Sequence, residues 1–192
     1  GVFDQSSFAK YEVSGPGAQA ALDWLCANDV GKPVGRLTYT QLLNPRGGIE
    51  ADLTVARLGE DRFYVVTGTG FRTHDLAWIA ENLPAGAEVR LDDVTEDFGT
   101  LSLMGPKARD VLEKVTRADV SNAAFPFGHV RGIDVAGHAV RALRVTYVGE
   151  LGWELHIPIN GLGEVFDKLI QAGETSGIRP VGYRALESLR LE

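Results

Sequence analysis

The sequence holds a single cysteine, Cys26, in 192 residues. That excludes an intrachain disulfide and a cluster of thiolate metal ligands. Cys26 lies within Leu22–Ala27 and reads as a buried, inert thiol. No apolar run approaches the roughly eighteen residues of a membrane-spanning helix, and no secretory signal pattern opens the chain. His74, His129, His138 and His156 stand at neither HxxxH nor HxH spacing, so no metal site is expected. Basic residues are outnumbered, 19 Lys and Arg against 26 Asp and Glu, for a net charge of -7. This balance speaks against nucleic-acid or anionic-membrane binding through charge. Gly68-Thr69-Gly70 lacks both GxGxxG spacing and a P-loop lysine, and reads as a helix-entry turn. Ser6, Ser7 and Ser102 have no nucleophile-elbow context.

What is present is the material of an ordinary core, 44% hydrophobic and 23% charged residues. It suffices for one large domain or two small ones. Lys10–Ser14 alternates as a short strand, and Ala18–Ala27 has helical spacing through Ala21, Leu22, Leu25 and Cys26. Leu37–Leu43 and Ile49–Leu58 read as strands joined by the turn Asn44-Pro45-Arg46-Gly47-Gly48. Arg62–Thr67 reads as a third strand, Phe71–Leu83 as a helix and Glu88–Leu91 as a strand. The order then recurs. Gly105-Pro106-Lys107-Ala108 repeats Gly15-Pro16-Gly17-Ala18 and again opens a helix, Ala108–Val115. His138–Val148 and Gly152–Pro158 read as a hairpin, and Gly161–Ala172 as a closing helix. Two units are too few for a solenoid. The expected fold is α+β: a pseudo-twofold, duplicated strand-helix-strands-helix domain with antiparallel sheets, its halves about 1–95 and 96–192. Trp24, Trp78 and Trp153 read as core or partly buried aromatics, and Asp92, Asp93, Glu96 and Asp97 as a solvated acidic loop. The chain starts without Met and stops inside the helical pattern Tyr183–Glu192, so a piece of a longer polypeptide is expected.

Two stretches could carry chemistry. Ile49, Ala51, Leu53 and Val55 point one way, and Glu50, Asp52 and Thr54 the other. Asp52 is then either one more acid on a solvated face or a carboxylate lining a pocket beside the Gly47-Gly48 turn. In Tyr147–Leu155, Gly149 and Gly152 interrupt a strand-like run and permit a tight turn or close ligand approach. Glu154 there is either merely exposed, or accepts two parallel N–H bonds, as an amino-pyrimidine edge offers. The two hairpins would be counterparts facing a common cavity.

At these residues the chain resembles the folate-binding module of the glycine-cleavage T-protein (aminomethyltransferase) family. The likeness runs through Gly1–Ser6, Leu42–Val55, Gly105-Pro106, Tyr147–Leu155 and Ser188–Glu192. VGELGWELHIP (Val148–Pro158) and AFPF (Ala124–Phe127) are more similar to the module of sarcosine and dimethylglycine dehydrogenases. The resemblance implies tetrahydrofolate as cofactor, FAD in a missing N-terminal flavin domain of the same polypeptide, and an N-methyl amino acid as substrate. It implies capture of the oxidised N-methyl carbon as 5,10-methylenetetrahydrofolate, in the bacterial cytoplasm or the mitochondrial matrix. Asp52 matches the family's functional aspartate, on the folate N10 side. Glu154 matches its pteridine-binding glutamate, and Tyr39 and Tyr147 its tyrosines near the cofactor. Leu186 and Gly68 stand where aminomethyltransferases carry an arginine and an asparagine, which favours the dehydrogenase branch. The alternatives are a stand-alone aminomethyltransferase served by a lipoylated carrier, and a noncatalytic folate-dependent scaffold or regulatory module.

Overall fold

The computed structural model describes all of Gly1–Glu192. In chain order the strands and α-helices are β1 (Val2–Asp4), β2 (Ala9–Ser14), α1 (Ala18–Leu25), β3 (Leu37–Leu43), β4 (Ile49–Gly59), β5 (Arg62–Thr67), α2 (Arg72–Asn82), β6 (Arg90–Asp93), β7 (Phe98–Met104), α3 (Ala108–Leu112), β8 (Val130–Val135), β9 (His138–Leu143), β10 (Gly152–Pro158), α4 (Leu162–Gly173), β11 (Pro180–Val181) and α5 (Tyr183–Leu189). They form two compact units, Phe8–Thr95 on one side and Gly1–Ser7 with Glu96–Glu192 on the other.

The Phe8–Thr95 unit is a five-stranded antiparallel sheet in the order β3-β4-β5-β2-β6. Alternation decides which face it buries. Tyr11, Val13, Leu53, Val55, Phe63 and Val65 join Ala18, Leu22 and Leu25 of α1 and Ile79 of α2 in one core. Ile49 breaks the expected alternation and is 67% exposed. A register shift at Leu42/Leu43 rotates the strand end there.

The other unit is a six-stranded sheet in the order β11-β1-β7-β10-β9-β8, antiparallel except for the β1–β11 pair. Its core joins Leu101, Leu103, Trp153, Leu155 and Ile157 to Val111 and Leu112 of α3 and Val165 and Leu169 of α4. The fold is the expected α+β arrangement of antiparallel sheets and helices; α3 and α4 cover one face of the six-stranded sheet, and Leu186 of α5 packs with Phe3 and Met104 on the other. Both units contain the run strand, helix, three strands, helix, strand, to which the second adds β1 and α5. The second sheet is the first with β1 inserted beside β7.

That insertion corrects the expected halves. Gly1–Ser7 goes with the later residues because β1 fills the gap between β7 and β11. The topology also corrects the pairing of hairpins. The counterpart of β3–β4 is β8–β9, and Tyr147 lies in the connection that leads into β10. The strand expected to reach Val148 ends at Leu143. Arg144 turns inward to donate to the Phe125 carbonyl at 2.8 Å, and Val145 N–H bonds back to Leu143 O. Trp153 is fully buried, whereas Trp24 is 71% exposed, on the side of α1 away from its core. Cys26 is half-buried, and burial pushes its thiol up to about 12, which keeps it unreactive. Asp93, Glu96 and Asp97 of the acidic loop are exposed, as expected, and Asp93 also accepts bonds from Arg72 Nε at 2.8 Å and Thr95 N–H at 3.0 Å.

The repeated Gly-Pro turns require their glycines. Gly15 has φ +118° and Gly105 φ +132°, conformations that L side chains rarely adopt. A Cβ on Gly15 would collide with the Glu88 carbonyl, whereas on Gly105 its nearest neighbour is Gly1 N at 3.8 Å. Gly105→Ala is therefore expected to lose roughly 1–3 kcal/mol of stability through strain alone. Gly15→Ala loses more, since strain and collision add. Urea midpoints in that order check the assignment; equal losses would contradict it.

Candidate functional site

Asp52 sits on the face of β4 turned away from the core, between buried Ala51 and Leu53. The hairpin register sets Gln41 directly opposite it, with Tyr39 opposite Thr54. The Tyr39 hydroxyl donates to Asp52 Oδ2 at 2.9 Å, and Gln41 Nε2 donates to Oδ1 at 3.3 Å. Each carboxylate oxygen is thus held by a neutral donor, and Asp52 remains exposed. Such a group can accept a proton or face a developing positive charge in a fixed orientation. Tyr39 is 61% exposed.

The adjoining turn is built by Asn44. Its Oδ1 accepts the N–H groups of Arg46 and Gly48, both at 3.0 Å, and its Nδ2 donates to Glu50 Oε1 at 2.8 Å. Gly47 takes φ +79°. Glu50 in turn lies 3.6 Å from His74 Nε2, and His74 Nδ1 lies 2.9 Å from Asp75 Oδ1. Asp75 is buried and accepts the Thr67 hydroxyl at 2.6 Å. The hydrogen bond that His74 Nδ1 donates to Asp75, with the Asp75 charge and that of Glu50, raises the His74 pKa above 6.5 against a smaller opposing desolvation. A raised folded-state pKa stabilises below the unfolded value and loses that contribution as pH rises through the folded one. Stability is therefore expected to fall as pH climbs from 6.5 through the raised value, and His74→Gln to flatten that dependence. Thermal melts across the range check it; an unchanged slope in the variant would contradict it.

In the other unit, Glu154 lies on β10 on the face opposite Trp153 and Leu155. Ser102 and Leu143 are its cross-strand neighbours, and its side chain is 17% exposed. His156, two residues on, is fully buried, with Nε2 3.7 Å from Glu154 Oε2 and Nδ1 3.2 Å from Thr100 Oγ1. Tyr147 is 42% exposed in the connection before β10. Its hydroxyl donates to Glu187 Oε1 at 3.3 Å, and the Arg190 guanidinium lies 5.2 Å from its ring centroid. Burial, then Glu187, raises its pKa.

Tyr39 and Asp52 are thus joined by a hydrogen bond, while Tyr147 and Glu154 have separate partners within one unit. Gln41 is not visible from sequence: regular pairing across the five-residue turn sets it opposite Ala51, and the register shift at Leu42/Leu43 brings it opposite Asp52 instead. Nor are His156 and Thr100, whose two-strand register only the folded sheet supplies. A cavity of about 400 Å³ beside α4, lined by Phe166, Ile170, Ile178 and Arg179, contains none of these residues. No helix is long and apolar enough to cross a membrane.

Known proteins share this fold. The GCVT N-terminal domain family matches residues 1–192. Mitochondrial sarcosine dehydrogenase of Homo sapiens is 41% identical over the whole chain, which spans 22% of that protein. Mitochondrial dimethylglycine dehydrogenase of Mus musculus is 38% identical, again over the whole chain and 22% of its own length. The glycine cleavage system aminomethyltransferase T from Bartonella henselae superposes with a TM-score of 0.86 at 30% identity, covering 99% of this chain and 50% of that one. The chain belongs to the GCVT N-terminal domain family, an aminomethyltransferase-like domain related to sarcosine and dimethylglycine dehydrogenases.

Proposed function

We propose that this chain is the N-terminal part of a tetrahydrofolate-binding, one-carbon-accepting module in a longer FAD-dependent N-methyl-amino-acid dehydrogenase or oxidase. Sarcosine or dimethylglycine is the substrate in this reading, and 5,10-methylenetetrahydrofolate the product. The observation that carries it is the Asp52 carboxylate, held on one oxygen by Tyr39 and on the other by Gln41 on an exposed face. Full-length membership of the family supports it.

The residues present fit a reduced pterin and its amines. Glu154 offers acceptor oxygens to the N–H groups of a ring edge. Asp52 offers negative charge to an electrophilic one-carbon unit and can take the proton lost when a nitrogen attacks it. Tetrahydrofolate, when bound, supplies the nucleophilic nitrogen. Asp52 then orients and accepts, and Tyr39 and Gln41 fix the direction in which it does so. FAD finds no binding turn here, since Gly68-Thr69-Gly70 opens a short 3₁₀ turn without the GxGxxG spacing. The flavin belongs to another segment of the polypeptide in this reading.

The test follows the labelled carbon. The full-length protein oxidises N-methyl-¹³C sarcosine or dimethylglycine in the presence of tetrahydrofolate. Label in the methylene bridge of 5,10-methylenetetrahydrofolate supports the reading. Label in formaldehyde alone, for both amines, overturns it.

A further inference from the structure

Alternation along β10 sets Glu154, His156 and Pro158 on one face and Trp153, Leu155 and Ile157 on the core face. On the first face His156 is wholly buried, together with Thr100 and Ser102 across the β7 register. A buried imidazole and hydroxyl are expensive unless they are mutually satisfied. Here Thr100 Oγ1 stands 3.2 Å from His156 Nδ1, and Nε2 points toward Glu154 Oε2 at 3.7 Å. That last distance is beyond a hydrogen bond but within ion-pair range. Contacts of this kind lengthen in ligand-free sites and tighten on binding. The proposed ligand roles of Asp52, Glu154 and the two tyrosines leave His156 unused.

We infer that His156 is a positioning residue for Glu154. The Thr100 hydroxyl donates to Nδ1, which fixes the proton on Nε2, and that N–H, 3.7 Å from Glu154 Oε2, closes on it when ligand binds. Glu154 is thereby kept from swinging along the strand, and its remaining acceptor sites face the ligand. The reverse orientation, with Nδ1–H donating to Thr100, would turn a bare nitrogen lone pair toward a carboxylate and repel it. The inference rests on the folate reading for what Glu154 holds, but the tautomer is a property of the protein alone.

The experiment therefore has two arms, both on the full-length protein. ¹⁵N spectra of histidine-labelled protein, with His156 assigned by its loss in His156→Phe, report which nitrogen carries the proton. The Nε2–H form is expected in the wild type, with that preference lost in Thr100→Val. The Nδ1–H form in the wild type, or an unchanged His156 signature in Thr100→Val, would overturn the inference. The second arm measures tetrahydrofolate affinity. His156→Phe, which keeps the ring bulk and removes the N–H, is expected to raise Kd roughly tenfold. His156→Gln, which restores a donor, is expected to recover most of the loss. An unchanged Kd in His156→Phe, with Glu154→Ala still impaired, would overturn the positioning role alone. Absence of binding in the wild type would instead remove the folate reading and leave the tautomer arm to decide.

Discussion

Asp52→Asn is expected to uncouple amine oxidation from one-carbon capture in the full-length protein. The substitution is isosteric, and its site is exposed, so the hairpin and the core beneath it are retained. The asparagine carbonyl still accepts from Tyr39 or Gln41, but the amide neither takes a proton nor carries charge. Removing a positioned proton acceptor typically slows its step by roughly 10²- to 10⁴-fold. The oxidised carbon then escapes as formaldehyde while substrate consumption continues at the wild-type rate. Comparing amine consumption with methylenetetrahydrofolate formation measures the split. An unchanged partition would show that Asp52 is a surface acid. Tyr39→Phe is expected to act in the same direction but more weakly, because Gln41 still holds the other oxygen.

Glu154→Ala is expected to weaken tetrahydrofolate binding with little loss of fold. Its neighbours Trp153 and Leu155 anchor β10 in the core, while the Glu154 side chain lies on the opposite face. A hydrogen bond to a charged acceptor contributes about 1.5–3 kcal/mol, and losing it corresponds to a 10- to 100-fold rise in Kd. Equilibrium dialysis of wild type and variant against tetrahydrofolate checks it. A variant that binds as tightly as the wild type would remove Glu154 from the site. The two substitutions differ in kind: Glu154→Ala acts on affinity, Asp52→Asn on the fate of the carbon.

Local pattern made the Phe8–Thr95 unit legible. Leu37–Leu43 and Arg62–Thr67 have the bounds expected from sequence, the second because its apolar run is bounded by a turn and is buried on both faces. The duplication was legible in the two Gly-Pro turns, whose glycines share a backbone conformation that L side chains rarely adopt. Strand β8 was not, because Arg131-Gly132 interrupts its apolar pattern and its hairpin turn is Ala136-Gly137. Both turn residues have positive φ, at 53° and 88°, but alanine there sends no turn signal. The place of β1 was equally hidden, because its partners lie about a hundred residues or more away. In the candidate site, Asp52 and Glu154 were visible as acids set between apolar residues. Their supports were not, because Gln41, Thr100 and His156 acquire their roles from strand register. The apolar run predicts a strand through Tyr147, which lies in a loop because the inward turn of Arg144 ends β9 first.

The central claim is that this family module binds tetrahydrofolate, and calorimetric titration of the full-length protein with tetrahydrofolate tests it most directly. Saturable binding at one site per chain is the predicted result. The absence of binding heat at any temperature tried, with the protein folded and its amine oxidation intact, would contradict it.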